Sequence, residues 1–177
     1  RKAAHAKFNA THATKKRGLG LSVVLHGSGF TGNGEKKLRS RAKVDTLPDG
    51  RVRALAANTE MGQGTKTVFA QILAQALGLE LDDVVVAQPD TAIVPDSGPT
   101  VASRTVMVVG NLLKQAAEVM RADLEKSVGR PLDTREKLLA AIREAHAQGR
   151  IPAAESMYEP PPGIVWNDDT YQGSAYG

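Results

Sequence analysis

Residues 37–57 read KLRSRAKVDTLPDGRVRALAA, and this stretch decides the fold. Its centre, Leu47-Pro48-Asp49-Gly50-Arg51, is typical of a tight turn, because proline and the Asp-Gly pair favour turn conformations. The flanking segments, Lys37 to Thr46 and Val52 to Ala57, have the patterns of β-strands. The sequence therefore predicts a β-hairpin at this point.

Further elements are predicted on both sides of the hairpin. They are a polar helix over residues 1–14, a strand from Arg17 to Phe30, a helix from Thr65 to Leu77 capped by Gly78, a short strand from Val84 to Ala87, and helices over Ser103 to Lys126 and Thr134 to Gln148. After Ile151 the chain is rich in proline and glycine, and we expect it to be extended over a partner. The order predicts an α+β fold with β-strands and two to three helices in its main part.

Composition narrows the class of protein. With 177 residues, 41% of them hydrophobic, the chain suits one domain with appendages. It has no cysteine, which excludes disulfides, a cysteine-ligated zinc or iron–sulfur site and a cysteine nucleophile. No apolar run reaches membrane-spanning length and no signal peptide opens the chain. We expect a cytoplasmic protein with no membrane partner.

The uneven distribution of charge and the patterns at the two ends of the chain lead us to divide the sequence into three segments. Residues 1–43 carry eleven lysines and arginines against one acid, whereas the remaining residues carry twelve against eighteen. We divide the chain into a basic helical linker (1–16), an α+β segment (17–129) and a helix with an extended tail (130–177). The chain begins with Arg1 and ends without a helix or strand pattern. We interpret it as a fragment that works with other chains.

A glycine-rich stretch, Gly27-Ser28-Gly29-Phe30-Thr31-Gly32, matches the letters of a dinucleotide-binding loop. Such a loop must open a helix whose amides hold the pyrophosphate, and a β pattern follows here instead. Two readings remain besides a nucleotide site. The stretch is either a plain turn or a loop whose glycines let the backbone approach a ligand, with Phe30 presented to it.

Two other loops lead into predicted helix starts. Gly62-Gln63-Gly64 precedes the helix at Thr65, and residues 89–104 precede the next with Ser103 and Arg104 near its start. Free amides at a helix start attract anions, so the two loops predict a composite anion site. We interpret the loop carboxylates Asp90 and Asp96 as turn caps rather than as an acid–base pair.

Several motifs occur in a familiar order: Arg17-Gly18-Leu19-Gly20, Gly29 to Glu35, Thr59-Glu60-Met61-Gly62-Gln63-Gly64, Gln71-Ile72, Leu77-Gly78, Asp90-Thr91, Pro95, and Gly98 to Arg104. From about Arg17 to about Leu113 the chain resembles the molybdenum-binding subunit of the xanthine dehydrogenase/aldehyde oxidase family. The resemblance implies part of a larger molybdopterin-binding subunit. It also implies an oxidoreductase that hydroxylates an N-heterocycle of purine type or an aldehyde.

The resemblance also implies roles for particular residues. The cofactor would be molybdopterin with molybdenum, in its plain or cytosine dinucleotide form, and its dithiolene rather than protein side chains would hold the metal. The implied cofactor-binding residues are Gly62, Gln63, Gly64, Thr100, Ser103 and Arg104. Those implied for substrate binding are Phe30, Thr31, Val101 and Ala102.

The chain departs from the family in one essential respect. The family's general-base glutamate lies in a Gly-Glu-Pro motif, and Glu159-Pro160 lacks the preceding glycine. We therefore expect no catalytic residue in this chain and no activity from it alone. The expected partners are the rest of the molybdenum subunit, an iron–sulfur subunit with 2Fe-2S clusters and an FAD subunit. The alternative function is a nucleotide- or nucleic-acid-binding module that uses the basic arm and the glycine loop.

Overall fold

The computed structural model describes residues 1–24, 33–163, 165–170 and 172–173. Their helices are α1 (Lys2–Thr11), α2 (Gly34–Leu38), α3 (Thr65–Leu77), α4 (Asn111–Val128) and α5 (Arg135–Ala147). Their strands are β1 (Arg41–Thr46), β2 (Val52–Leu55), β3 (Val84–Val86), β4 (Ala153–Met157), β5 (Trp166–Asn167) and β6 (Gln172–Gly173). A 3₁₀ turn at Leu81–Asp83 precedes β3, and a π-helical turn at Thr105–Gly110 runs directly into α4.

The main sheet is mixed and has the strand order β3-β2-β1-β4. β1 pairs antiparallel with β2 and also with β4, whereas β2 and β3 are parallel. A parallel pair needs a long crossover, and α3 with the 3₁₀ turn provides it. β5 and β6 form a separate two-stranded ribbon.

The predicted hairpin is confirmed. Val44 lies opposite Ala54 and Thr46 opposite Val52 in the register of β1 and β2. Gly50 closes the turn by donating its amide to the Leu47 carbonyl at 2.9 Å, with φ at 100°. This positive φ favours glycine, because a side chain would be strained in that backbone conformation.

The core lies between the sheet and its helices. α4 packs against β1 and β4, and α3 packs against α4 and β3. The largest fully buried apolar side chains are Val44, Val52, Leu55, Phe69, Leu73, Leu113, Met120, Leu132, Leu138 and Ile142. α1, by contrast, buries no residue among those described.

Close packing of α3 on the π-helical turn depends on Gly110. A Cβ built on Gly110 would lie 2.7 Å from Cδ1 of Ile72. The missing side chain lets the turn lie against α3, which brings the loop before α3 next to the loop before the π-helical turn. Such turns are often found at functional sites.

The sequence predicted the fold class, but it did not predict the number of helices or all of their limits. The α+β class is confirmed, with five helices in the described residues rather than two to three. The helix limits Thr65 to Leu77 are confirmed, with Gly78 as a left-handed cap at φ 67°. The helix predicted to begin at Ser103 starts instead as the π-helical turn.

Three local predictions are wrong. Residues 17–24, predicted as the first half of a strand, form neither helix nor strand, and residues 25–30 lie outside the described ranges. α2 forms in the region expected to lead into a strand, because Glu35 is drawn into a buried ion pair. Residues 153–157, expected in an extended tail, form β4 because their backbone pairs with the open edge of β1.

The helix α2 does not restore the dinucleotide interpretation. It has only five residues, and the chain continues from it into the antiparallel hairpin of β1 and β2. A dinucleotide site needs a parallel βαβ unit around its loop. All six residues of the glycine-rich stretch, including Phe30 and Thr31, lie outside the described residues.

Candidate functional site

The loop between β2 and α3 is shaped by two glycines in the left-handed region. Gly62 has φ 107° and Gly64 has φ 87°, which a side chain would oppose. The side chain of Gln63 folds back onto this loop. Its Nε2 donates to the Thr59 carbonyl and to Oγ1 of Thr65, both at 2.7 Å, and its Oε1 accepts from the Met61 amide at 2.6 Å. Gln63 is therefore exposed but held in one orientation.

Glu60 occupies the start of α3, where an external anion was predicted. Its Oε1 accepts the amides of Gly62 (2.7 Å) and Gly64 (3.0 Å), and its Oε2 accepts the amide of Lys66 (3.1 Å). These backbone hydrogen bonds lower the pKa of the Glu60 carboxyl from its usual value. The prediction of free amides at this helix start is wrong, because a residue of the chain already fills the position.

The second loop, residues 95–104, is bound to the first through side chains. Oγ1 of Thr100 accepts the Thr59 amide at 2.9 Å, so the two loops are joined directly. Oγ of Ser97 accepts the Ala57 amide at 2.9 Å and donates to the Arg41 carbonyl at 2.7 Å. Between these attachments and the π-helical turn, Ala102 has φ 48°, which is uncommon for a residue other than glycine.

Arg104 is buried and is held by polar contacts within the chain. Its side chain is 0% exposed and forms an ion pair with Glu35, which is 2% exposed. Its Nε lies 2.7 Å from Oε2 of Glu35, and its Nη2 donates to the Ser97 carbonyl at 2.7 Å. It also binds Oγ of Ser40 and the Pro99 carbonyl. Its guanidinium is enclosed by these groups, and the cofactor contact that the resemblance implies for Arg104 stays a prediction.

A cleft of about 480 Å³ opens between the two loops and the π-helical turn. It is lined by Met61, Gln63, Thr65, Val68, Thr100, Val101, Ala102, Ser103, Thr105, Val106 and Met107. Five of the predicted site residues thus meet here, and Gly62 and Gly64 flank Gln63 in its wall. All eleven described lining residues are uncharged.

Two further residues of the cleft, Met61 and Thr105, were not predicted from the sequence. Met61 is 70% exposed and Val101 is 44% exposed, so the wall presents apolar surface. Thr105 is 6% exposed, and its Oγ1 has no hydrogen-bond partner in the described part of the chain. A buried hydroxyl without a partner is unfavourable, and a hydrogen-bonding ligand would relieve it.

The described ranges contain neither a cluster of metal-ligating side chains nor a membrane-spanning helix. No group of three or more histidine, aspartate or glutamate side chains there could hold a metal ion. No helix there is long and apolar enough to cross a membrane.

The comparisons with known proteins identify the family of the chain. The molybdopterin cofactor-binding domain family matches residues 1–174. Xanthine dehydrogenase of Dictyostelium discoideum is 37% identical over 98 residues, which is 55% of this chain and 7% of that protein. Xanthine dehydrogenase 1 of Arabidopsis thaliana is 33% identical over 119 residues, which is 67% of this chain and 9% of that protein.

Solved structures show the same relationship. The aldehyde oxidoreductase of Desulfovibrio desulfuricans superposes with a TM-score of 0.57 at 26% identity, covering 77% of this chain and 14% of that one. CO dehydrogenase of Oligotropha carboxidovorans, at 22% identity, shows the shared fold with a TM-score of 0.56, covering 68% of this chain and 18% of that one. The sequence spans only a small part of these proteins.

The chain belongs to the molybdopterin cofactor-binding domain family and is a partial domain of the xanthine dehydrogenase/aldehyde oxidoreductase group. The family resemblance stated above is thereby confirmed. It extends further than the motifs suggested, because the family match crosses all three segments that the sequence predicted.

Proposed function

We propose that this chain forms one wall of the molybdopterin site in a molybdenum hydroxylase, and that the cofactor lies in the cleft between the two loops. One observation carries the proposal. Gln63 is distant in sequence from Thr100 and Ser103, yet all three line a single uncharged cleft. Pockets with apolar walls and a few converging polar groups are the usual form of cofactor sites.

The residues of the cleft fit a flat heterocycle with polar edges. Both Nε2 hydrogens of Gln63 are used within the loop, but Oε1 keeps a second lone pair for an N–H donor. The free Oγ1 of Thr105 supports a further polar contact. Met61 and Val101 offer apolar surface to the faces of a ring.

When bound, the cofactor supplies the redox centre at which a substrate carbon is hydroxylated. The residues of this chain hold and orient it: Gln63 through its amide oxygen, and Thr100 and Ser103 along the opposite wall. Val101 and Ala102 form the part of that wall that limits access for an N-heterocycle or an aldehyde. The apolar side chains of the cleft exclude water from the bound ring.

We further propose that other chains or domains complete the enzyme. They are the rest of the molybdenum subunit, which brings the general-base glutamate, and iron–sulfur and FAD subunits that accept the electrons. The cytosine dinucleotide form of the cofactor belongs to the same proposal. Purification of the intact complex, with native mass and molybdenum and pterin content measured on one sample, tests it. A lone chain free of molybdenum and pterin would contradict it.

Replacement of Gln63 by Ala is expected to weaken cofactor retention about tenfold to a hundredfold. The reason is the loss of the neutral hydrogen bonds that fix the loop, at about 0.5–1.5 kcal/mol each, and of the free acceptor on Oε1. Molybdenum per chain and the thermal midpoint are measured together.

The matched control for Gln63→Ala is Gln71→Ala, an exposed glutamine on α3 away from the cleft. It is expected to leave both quantities unchanged. If Gln63→Ala lowers the thermal midpoint as strongly as the cofactor content, then Gln63 serves only the fold.

Enlarging Ala102 to Leu is expected to lower kcat/KM about tenfold per bound molybdenum. Ala102 lines the cleft and is exposed to it, so the larger leucine side chain is expected to narrow the space for a substrate. Ala102→Gly is the control, because it accepts the φ of 48° and leaves the cleft open. Equal activity per molybdenum in Ala102→Leu and the unmodified protein would remove Ala102 from the substrate wall.

A further inference from the structure

We propose that Glu60 is a positioning residue that shapes the cofactor loop and so fixes the orientation of Gln63. The inference rests on the proposed function, since the loop matters only if the cleft holds the cofactor. Glu60 is not among the residues that line the cleft. Its influence on a ligand must therefore act through the backbone that it binds.

Its contacts define the loop. One carboxylate gathers the amides of three alternate residues, Gly62, Gly64 and Lys66, at 2.7 to 3.1 Å. Three amides can converge on one carboxylate only where the backbone curls around it, and the positive φ angles of the two glycines produce that curl. Hydrogen bonds to a charged acceptor are roughly twice as strong as neutral ones.

The same curl sets the position of Gln63. Its side chain reaches the Thr59 carbonyl, the Met61 amide and Oγ1 of Thr65 from the middle of the loop. These groups belong to the segment that Glu60 draws together. Glu60 and Gln63 therefore hold the loop with two interleaved sets of hydrogen bonds, and loss of the first set releases the second.

The negative charge of Glu60 is also favourable at the start of α3. A carboxylate at the start of a helix interacts favourably with the helix dipole and with amides that lack helical partners. The backbone hydrogen bonds lower the pKa of Glu60, so the group remains ionised. A glutamine at this position keeps one oxygen acceptor but loses the charge and the second oxygen.

The test compares Glu60→Ala and Glu60→Gln in the purified cofactor-loaded protein, with Glu118→Gln as the control. Glu118 is an exposed glutamate of α4 whose nearest cationic partner, Lys114, is 3.8 Å away. Two quantities are measured: hydrogen exchange of the amides in residues 59–66, and molybdopterin retained per chain after dialysis.

In Glu60→Ala the amides of Gly62, Gly64 and Lys66 are expected to exchange about tenfold faster, and cofactor affinity to fall about tenfold. Glu60→Gln is expected to lie between Glu60→Ala and the unmodified protein. Glu118→Gln is expected to change neither quantity. This partial rescue separates positioning by the carboxylate from a general loss of stability.

The two proposals fail in different ways. If exchange in residues 59–66 is unchanged in Glu60→Ala, or if it rises while cofactor retention stays constant, the positioning role of Glu60 is overturned. If the unmodified protein holds no molybdopterin, the proposed function fails, and the exchange measurement still decides whether Glu60 shapes the loop.

Discussion

Replacement of Arg104 by Ala is expected to lower the free energy of unfolding by about 3–5 kcal/mol, because it leaves the carboxylate of Glu35 buried without its cation. Arg104 and Glu35 are 0% and 2% exposed. The change also removes the donors to the Ser97 and Pro99 carbonyls, which hold the second loop. Such a loss is a large part of the stability of a domain of this size. Denaturant titration of the purified protein measures it.

The double variant Arg104→Met with Glu35→Leu tests whether the unpaired carboxylate of Glu35 causes this loss of stability. Two apolar side chains of similar size leave no unpaired charge, so most of the lost stability is expected to return. The exposed pair of Lys114 and Glu118 gives the comparison, and Lys114→Ala is expected to cost under about 1 kcal/mol. If the double variant is no more stable than Arg104→Ala, the unpaired charge is not the source of the loss.

Replacement of Phe69 by Ala is expected to cost about 3–5 kcal/mol of unfolding free energy. Phe69 is 1% exposed in the main core, and its removal leaves a cavity that the rigid surroundings fill only partly. α3 begins at the cofactor loop, so we expect cofactor retention to fall together with stability. Urea midpoints with and without the cofactor measure both effects.

Two further variants complete the Phe69 experiment. Phe69→Leu keeps most of the volume and is expected to cost less than half as much as Phe69→Ala. Thr67→Ala, an exposed position on the same helix, is expected to change stability by under about 0.5 kcal/mol. A loss below about 1 kcal/mol in Phe69→Ala would show that another residue anchors α3.

Local signals account for the elements that the sequence predicted well. The hairpin followed from Pro48, Asp49 and Gly50, whose conformational preferences decide a turn without reference to distant residues. The limits of α3 followed from Gly64 and Gly78, which hold left-handed conformations at its two ends. Such signals lie within a few residues of the structure that they determine.

The parts that sequence reasoning missed depend on distant partners. β4 has no alternating apolar pattern, and it is a strand because β1 offers it an open edge. The role of Arg104 was invisible because Glu35 lies 69 residues away. Glu60 could have been predicted, since an acid placed shortly before a helix start is a common capping arrangement.

In the candidate site, the family motifs predicted five of the eleven lining residues. Gln63, Thr100, Val101, Ala102 and Ser103 meet in the cleft as those motifs implied. Met61, Val106 and Met107 were not predicted. The sequence alone does not show whether a methionine or valine side chain lines a cleft or packs in the core. The unpaired hydroxyl of Thr105 required atomic positions to be found.

The wall formed by residues 101–103 is held by Thr100 on one side, by Arg104 on the other, and by the backbone hydrogen bond from the Met107 amide to the Ser103 carbonyl. The side chains of Val101, Ala102 and Ser103 are exposed, and they take no part in the buried ion pair or in the core. Their identities can therefore change while the scaffold keeps its stability. We expect this short span to be a place where a lineage acquires new substrates by few mutations, since folding imposes little selection there.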